Sequence, residues 1–130
     1  MKWPWSRHLL TRNELGALGE RHAARALHAK GMQVLEANYR RKQGEIDLIA
    51  RDGDILVFVE VRTRTSSGHV SPLESVNPHK QAQIIRMAHL YIRNRRLPEC
   101  HCRFDVVEVW ATPTGTVTTV HHIPGAFIDD

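Results

Sequence analysis

The chain has 130 residues, 42% of them hydrophobic and 25% charged, with only two cysteines, at Cys100 and Cys102. That length suits one domain with a usable core, cysteines this close cannot staple a disulfide scaffold, and no apolar run approaches the roughly 18 residues of a membrane helix. Eighteen Lys and Arg against fourteen Asp and Glu leave a formal +4, a balance that suits nucleic-acid phosphate without deciding for it. No secretory leader is legible, so a cytoplasmic protein with no membrane partner is expected.

Residues 1–12 lack periodicity and read as a leader. Thr11 with Glu14 forms a capping-box pattern, predicting a helix that runs to Lys30 and stops at Gly31. Strands are expected over Gln33–Arg40, Glu45–Arg51 and Ile55–Arg62. Thr63–Val76, rich in Ser, Thr, Gly and Pro, reads as a loop. Asn77 followed by Pro78 predicts a second helix carrying Ile84, Ile85, Ala88, Tyr91 and Ile92. Phe104–Trp110 and Thr116–Ile123 complete the pattern around a Pro113–Gly115 turn. The order is helix, three strands, helix, two strands: one α/β or α+β domain over residues 13–123, with a tail at 124–130.

The hairpin from Glu45 to Arg62 carries the chemistry. Gly53-Asp54 is a two-residue turn signal, and committing to it pairs Asp52 with Ile55, Ile49 with Phe58, Asp47 with Glu60 and Glu45 with Arg62. These residues share one sheet face because the strand period is two. Ile46, Leu48, Val57, Val59 and Val61 make the other face apolar, so the hairpin is expected to be covered on both sides. Opposed carboxylates in such a sheet destabilise it unless a cation lies between them or one holds a proton. A hard divalent ion, Mg²⁺ or Mn²⁺, suits Asp47, Glu60 and a backbone carbonyl such as that of Val61. Glu20 shares a helical stripe with Gly16, Ala23, Ala24 and Leu27, which aims it into the protein.

The run Gly44-Glu45-Ile46-Asp47-Leu48-Ile49-Ala50, followed by Phe58-Val59-Glu60-Val61-Arg62-Thr63-Arg64, resembles the YraN-like family of uncharacterised bacterial proteins. That family is similar to Holliday-junction resolvases within the restriction-endonuclease-like, PD-(D/E)XK superfamily. Gly16-x-x-Gly19-Glu20 and Asn77-Pro78-His79-Lys80-Gln81 carry the same resemblance. It implies a central mixed five-stranded sheet flanked by helices in the order αβββαββ, with Asp47 and Glu60 as metal-binding acids. It also implies a metal-dependent nuclease acting on DNA, branched or otherwise structured, and a homodimer, since branched-DNA resolvases usually work as two-fold dimers.

Within that reading Glu20 orients a metal-bound water or completes the metal shell, and Arg62 stabilises the charge on the scissile phosphate. Arg62 stands where the superfamily pattern has lysine, and arginine cannot act as a base. Lys80 or Lys42 can supply the amine from another direction. Arg41, Lys42, Arg64, Arg93, Arg95 and Arg96 are the candidate phosphate contacts, the last three also suiting a helix C-terminus. One rival reading is a nucleic-acid-binding module that kept the fold and lost its chemistry at Arg62; a second is a structural or assembly protein whose acidic pair is merely solvated.

Among the remaining signals, Cys100-His101-Cys102 is spaced too tightly for a zinc knuckle. His121 and His122, being adjacent, should face opposite sides of a strand. Trp110 is expected to pack at the end of its strand.

Overall fold

A computed structural model describes residues 8–65 and 76–129. The elements are α1 (Arg12–Ala29), β1 (Gln33–Arg41), β2 (Gly44–Asp52), β3 (Ile55–Thr65), α2 (Pro78–Asn94), β4 (Cys102–Ala111) and β5 (Val117–Phe127). The strands form one mixed sheet in sequence order, antiparallel except for the parallel pair β3–β4. This is the α/β arrangement with a flanked five-stranded sheet and the αβββαββ order. No helix among the described residues is long and apolar enough to cross a membrane.

Local chemistry explains the helix starts. Thr11 accepts from the Glu14 amide while the Glu14 carboxylate accepts from the Thr11 amide, closing a capping box on α1. Asn77 caps α2 by accepting from the Lys80 amide, with Pro78 opening the helix. α1 stops at Lys30, followed by Gly31 at φ +88°, a conformation that glycine adopts without steric cost.

The sheet is covered on both faces. Ala23 and Leu27 of α1 pack on Leu48, Ala50, Val57, Val59, Val107 and Val109. On the opposite face Ile84, Met87, Ala88 and Tyr91 of α2 pack on Ile46, Ile49, Phe58, Phe104 and Val106. Burying each such large side chain is worth about 1.5–3 kcal/mol. An aromatic row reinforces the α2 side, from Tyr39 to Tyr91 (5.2 Å, edge to face), then Phe58, Phe104 and Phe127.

Three boundaries differ from expectation by two residues or more. β3 does not end at Arg62 but continues through Thr65, because β4 offers parallel partners as far as Ala111. The remainder of the expected loop, 66–75, lies outside the described residues, as do residues 1–7 of the expected leader. β4 begins two residues early, at Cys102, which pairs with Leu56. β5 runs past Ile123 to Phe127, pairing with Phe104 after an irregularity that skips Asp105. A pairing partner prolongs each strand where local sequence signals a turn.

Candidate metal centre between diverging strands

The hairpin turn at Gly53-Asp54 forms as the sequence predicts, with Asp52 opposite Ile55 and Ile49 opposite Phe58. The ladder between β2 and β3 then stops at Leu48 and Val59, so the expected pairs Asp47–Glu60 and Glu45–Arg62 do not form. Two local events account for this. The Asp47 carboxylate accepts the Val61 amide at 2.8 Å, a donor that a continuing ladder would give to β2 backbone. Across β1, Asn38 stands between the pairs Ala37–Leu48 and Tyr39–Ile46 in the left-handed region, at φ 55°. Asparagine enters that region more readily than most residues.

The strands part beyond this point, opening a cleft of about 510 Å³ lined by Arg12, Gly16, Glu20, Asp47, Glu60 and Val61–Arg64 among others. α1 forms one wall because it approaches β3 very closely at Gly19, where any Cβ would overlap the Thr63 hydroxyl. That contact sets Glu20 over the mouth of the split, where it accepts from the Asn38 side chain at 3.1 Å. The other end of the hairpin is tied down by Gln83 of α2, which donates to the Gln43 carbonyl.

Carboxylate oxygens of Glu20, Glu45 and Asp47 all lie within 4.8 Å of one another. Glu60 is adjacent, with its side chain only 7% exposed and Oε1 3.5 Å from the Arg62 Nε. Burial pushes the Asp47 carboxyl up to about 7; the charges of Glu60, Glu45 and Glu20 add to this and the Val61 amide opposes it. Burial also raises Glu60, with Lys80 and Arg62 opposing. Four acids with so few donors form a site that a hard cation would relieve.

The expected residues are therefore partly brought together. Glu20, Asp47, Glu60, Val61, Arg62 and Arg64 line one cleft, and the charge of Lys80 at the start of α2 acts on Glu60. Lys42 lies exposed in the β1–β2 turn. Arg41 stacks on Tyr39, its guanidinium 4.5 Å from the ring centre. Arg95 is held by Glu36 at 2.8 Å and lies over Tyr91. Arg93 flanks a separate exposed hollow with Gln43, Arg86, His89 and Leu90, and Arg96 sits past the helix end at φ 52°.

Glu45 and Asn38 are the additions. Glu45 was expected opposite Arg62, yet it pairs with Arg40 on β1 (3.1 Å) and leans into the acidic group. Its position one residue after a glycine and two before Asp47 was the available signal. Elsewhere, His122 is buried and His121 exposed, so the adjacent pair does split across the strand. Cys100 and Cys102 are free thiols, and burial pushes that of Cys102 up to about 11. Trp110 donates its indole N–H to Glu108 at 2.6 Å.

A family model described as "Uncharacterised protein family UPF0102" matches residues 19–109, a span that contains all four acids of the cleft. Among curated relatives, the UPF0102 protein of Dictyoglomus turgidum is 42% identical over 118 residues, covering 91% of this chain and 100% of the relative. That of Moorella thermoacetica is 44% identical over 118 residues, covering 91% and 98%. That of Chlorobaculum parvum is 46% identical over 118 residues, covering 88% and 92%.

Proposed function

This chain belongs to the uncharacterised protein family UPF0102, and we propose that it is a divalent-metal-dependent nuclease hydrolysing phosphodiester bonds in structured DNA. The observation that carries this reading is the acidic group of Glu20, Glu45 and Asp47 beside buried Glu60, with Asp47 destabilised as an anion. All the side-chain donors are hard oxygens, the set Mg²⁺ and Mn²⁺ take. Glu20, Glu45, Asp47 and Glu60 would hold the ion, which when bound supplies Lewis-acid chemistry toward a phosphate ester.

The remaining work belongs to the chain's own groups. Arg62 and Arg64 line the cleft beside the acids, and guanidinium forks grip phosphate oxygens bidentately. Arg62 keeps its proton, so it binds and stabilises charge rather than accepting a proton. Proton acceptance from the attacking water falls to a carboxylate of the group or to Lys80, whose charge acts on Glu60. Arg12, on the α1 wall of the same cleft, adds positive charge at the mouth.

One observation favours a second reading. With Arg62 in the place of the superfamily's lysine, a binding module that retains the metal site but does not cut is coherent. The test is a cleavage panel of nicked, flapped, branched and plain duplex DNA with Mg²⁺ or Mn²⁺, alongside calorimetric Mn²⁺ binding. The nuclease reading expects cutting that drops at least about 10²-fold in Asp47→Asn, the usual scale for losing a charge-stabilising group. DNA binding without cutting, with cutting gained in Arg62→Lys, supports the binding module. Absence of both Mn²⁺ binding and cleavage overturns the metal reading altogether.

A further inference from the structure

Next to the cleft, on the α2 face of β3 and β4, lie three buried polar atoms with no hydrogen-bond partner among the described residues: Arg62 Nε, Arg64 Nε and Glu108 Oε2. They are neighbours by register, since the parallel ladder pairs Arg62 with Glu108 and Arg64 with Trp110. Residues paired in this way stand side by side on one face. Glu108 is 2% exposed. Its other oxygen is taken by the Trp110 indole at 2.6 Å, which fixes the carboxylate and leaves Oε2 open. An unpartnered buried oxygen and an unpartnered buried N–H donor on adjacent strands are each costly, and each suits the other.

We infer that Glu108 is a positioning residue for Arg62, serving as its partner once a divalent cation draws Glu60 away. The inference rests on the metal reading of the cleft. Arg62 Nε now leans on Glu60 Oε1 at 3.5 Å, too long for a good hydrogen bond, and while it does so it competes with any cation for that carboxylate. Turning Nε–H to Glu108 Oε2 releases Glu60, satisfies two orphaned atoms and leaves the two terminal amino groups of Arg62 free to fork onto a phosphate. A lysine's three donors radiate from one nitrogen, so it offers no planar fork held apart from an anchoring N–H. The arginine at this position and the buried glutamate beside it thus form one device, in which cation loading and arginine aim are coupled.

The test is a double-mutant cycle read by Mn²⁺ affinity, measured calorimetrically on the full chain without substrate. Glu108→Gln, close in shape, should weaken Mn²⁺ binding about fivefold to tenfold, an ordinary size for coupled neighbours. In an Arg62→Gln background the same change should have no effect, because Glu60 no longer needs releasing. Equal weakening in both backgrounds would mark Glu108 as merely structural, and no weakening in either overturns the inference outright. Should Glu108→Gln not fold, the wild-type Arg62 Nε–H resonance, followed by NMR during Mg²⁺ titration, serves instead. It should move downfield and gain protection from exchange; an unmoved resonance at saturation overturns the inference. Wild-type protein that binds no Mn²⁺ sinks the metal reading and this inference together. Normal wild-type binding without Arg62-dependent coupling sinks this inference alone.

Discussion

Two aspartates in one sheet show opposite ways of burying a charge. Asp105 of β4 is 0% exposed, yet its carboxyl is held below the usual aspartate range. Burial alone would raise it, but Arg103, the Gly125 amide and His122 all donate to it and together outweigh that cost. The network continues outward. Arg103 also reaches Asp52, and Lys30 donates to His122 Nδ1, leaving Nε2 to carry the proton toward Asp105. Asp47 of β2 sits at the other extreme, with one amide donor and three acids around it, pushed up to about 7. The first site is complete within the chain and works as a clamp on the β4–β5 irregularity. The second is incomplete, and that deficit is what points to a ligand.

The contrast breaks most visibly if the complete site is dismantled. Asp105→Ala leaves the buried His122 without its carboxylate and half-buried Arg103 with Asp52 alone, and should cost about 3–5 kcal/mol of stability in urea unfolding at pH 7. A loss under about 1 kcal/mol would mean that the network is ornamental. Asp105 contributes stability above its ordinary titration range, lost only as pH falls through the depressed folded value.

Asp47 should behave with the opposite sign. Its folded value lies above the ordinary 3.8, so between about pH 4 and 7 the folded state holds a proton that the unfolded chain has released, and stability falls as pH rises. Glu60, also raised, acts in the same direction. Asp47→Asn should therefore flatten this part of the stability profile and stabilise the fold at pH 8, on the order of 1–3 kcal/mol. A slope unchanged by the substitution would remove Asp47 as its source.

A third change sharpens the distinction by moving one wall. Gly19→Ala forces α1 away from Thr63 and should cost about 1–3 kcal/mol, most of it recovered by adding Thr63→Ala. Displacing α1 carries Glu20 from the acids and should soften the Asp47 pH dependence without touching the Asp105 network. Thermal unfolding across pH measures both at once.

Where sequence and structure part follows from what determines each feature. Helix starts were legible because capping is local chemistry, carried by Thr11 with Glu14 and by Asn77 with Pro78. The hairpin turn at Gly53-Asp54 was equally local, and it set the first five pairs correctly. The split of the strands was not legible, because a turn fixes register only as long as nothing else claims the backbone. Asp47 claims the Val61 amide and Asn38 turns left-handed, and neither event leaves a mark in the periodicity of β2 or β3. Hence the sequence brings Glu20, Asp47, Glu60 and Arg62 to one cleft, while it sets Glu45 against the wrong neighbour. Likewise the sequence pattern ends β5 at Ile123, before Pro124, since the clamp that carries it to Phe127 depends on Asp105, a buried charge in the middle of an adjacent strand.

The parallel pairing of β3 with β4 sets an order on assembly. All four acids of the cleft lie before residue 61, on α1 and on strands that follow one another directly, so they can gather through short-range closures. β4 can join only after a long crossover containing α2, and contacts of such large sequence separation form slowly. Until then the acids stand in water, where their repulsion is weak. The conflict therefore enters late, when Val107 and Val109 complete the apolar layer beneath α1. A penalty incurred in that slow step divides between the two rates, slowing folding as well as speeding unfolding. The pH at which this protein works thus bears on how fast it folds as well as on how long it stays folded.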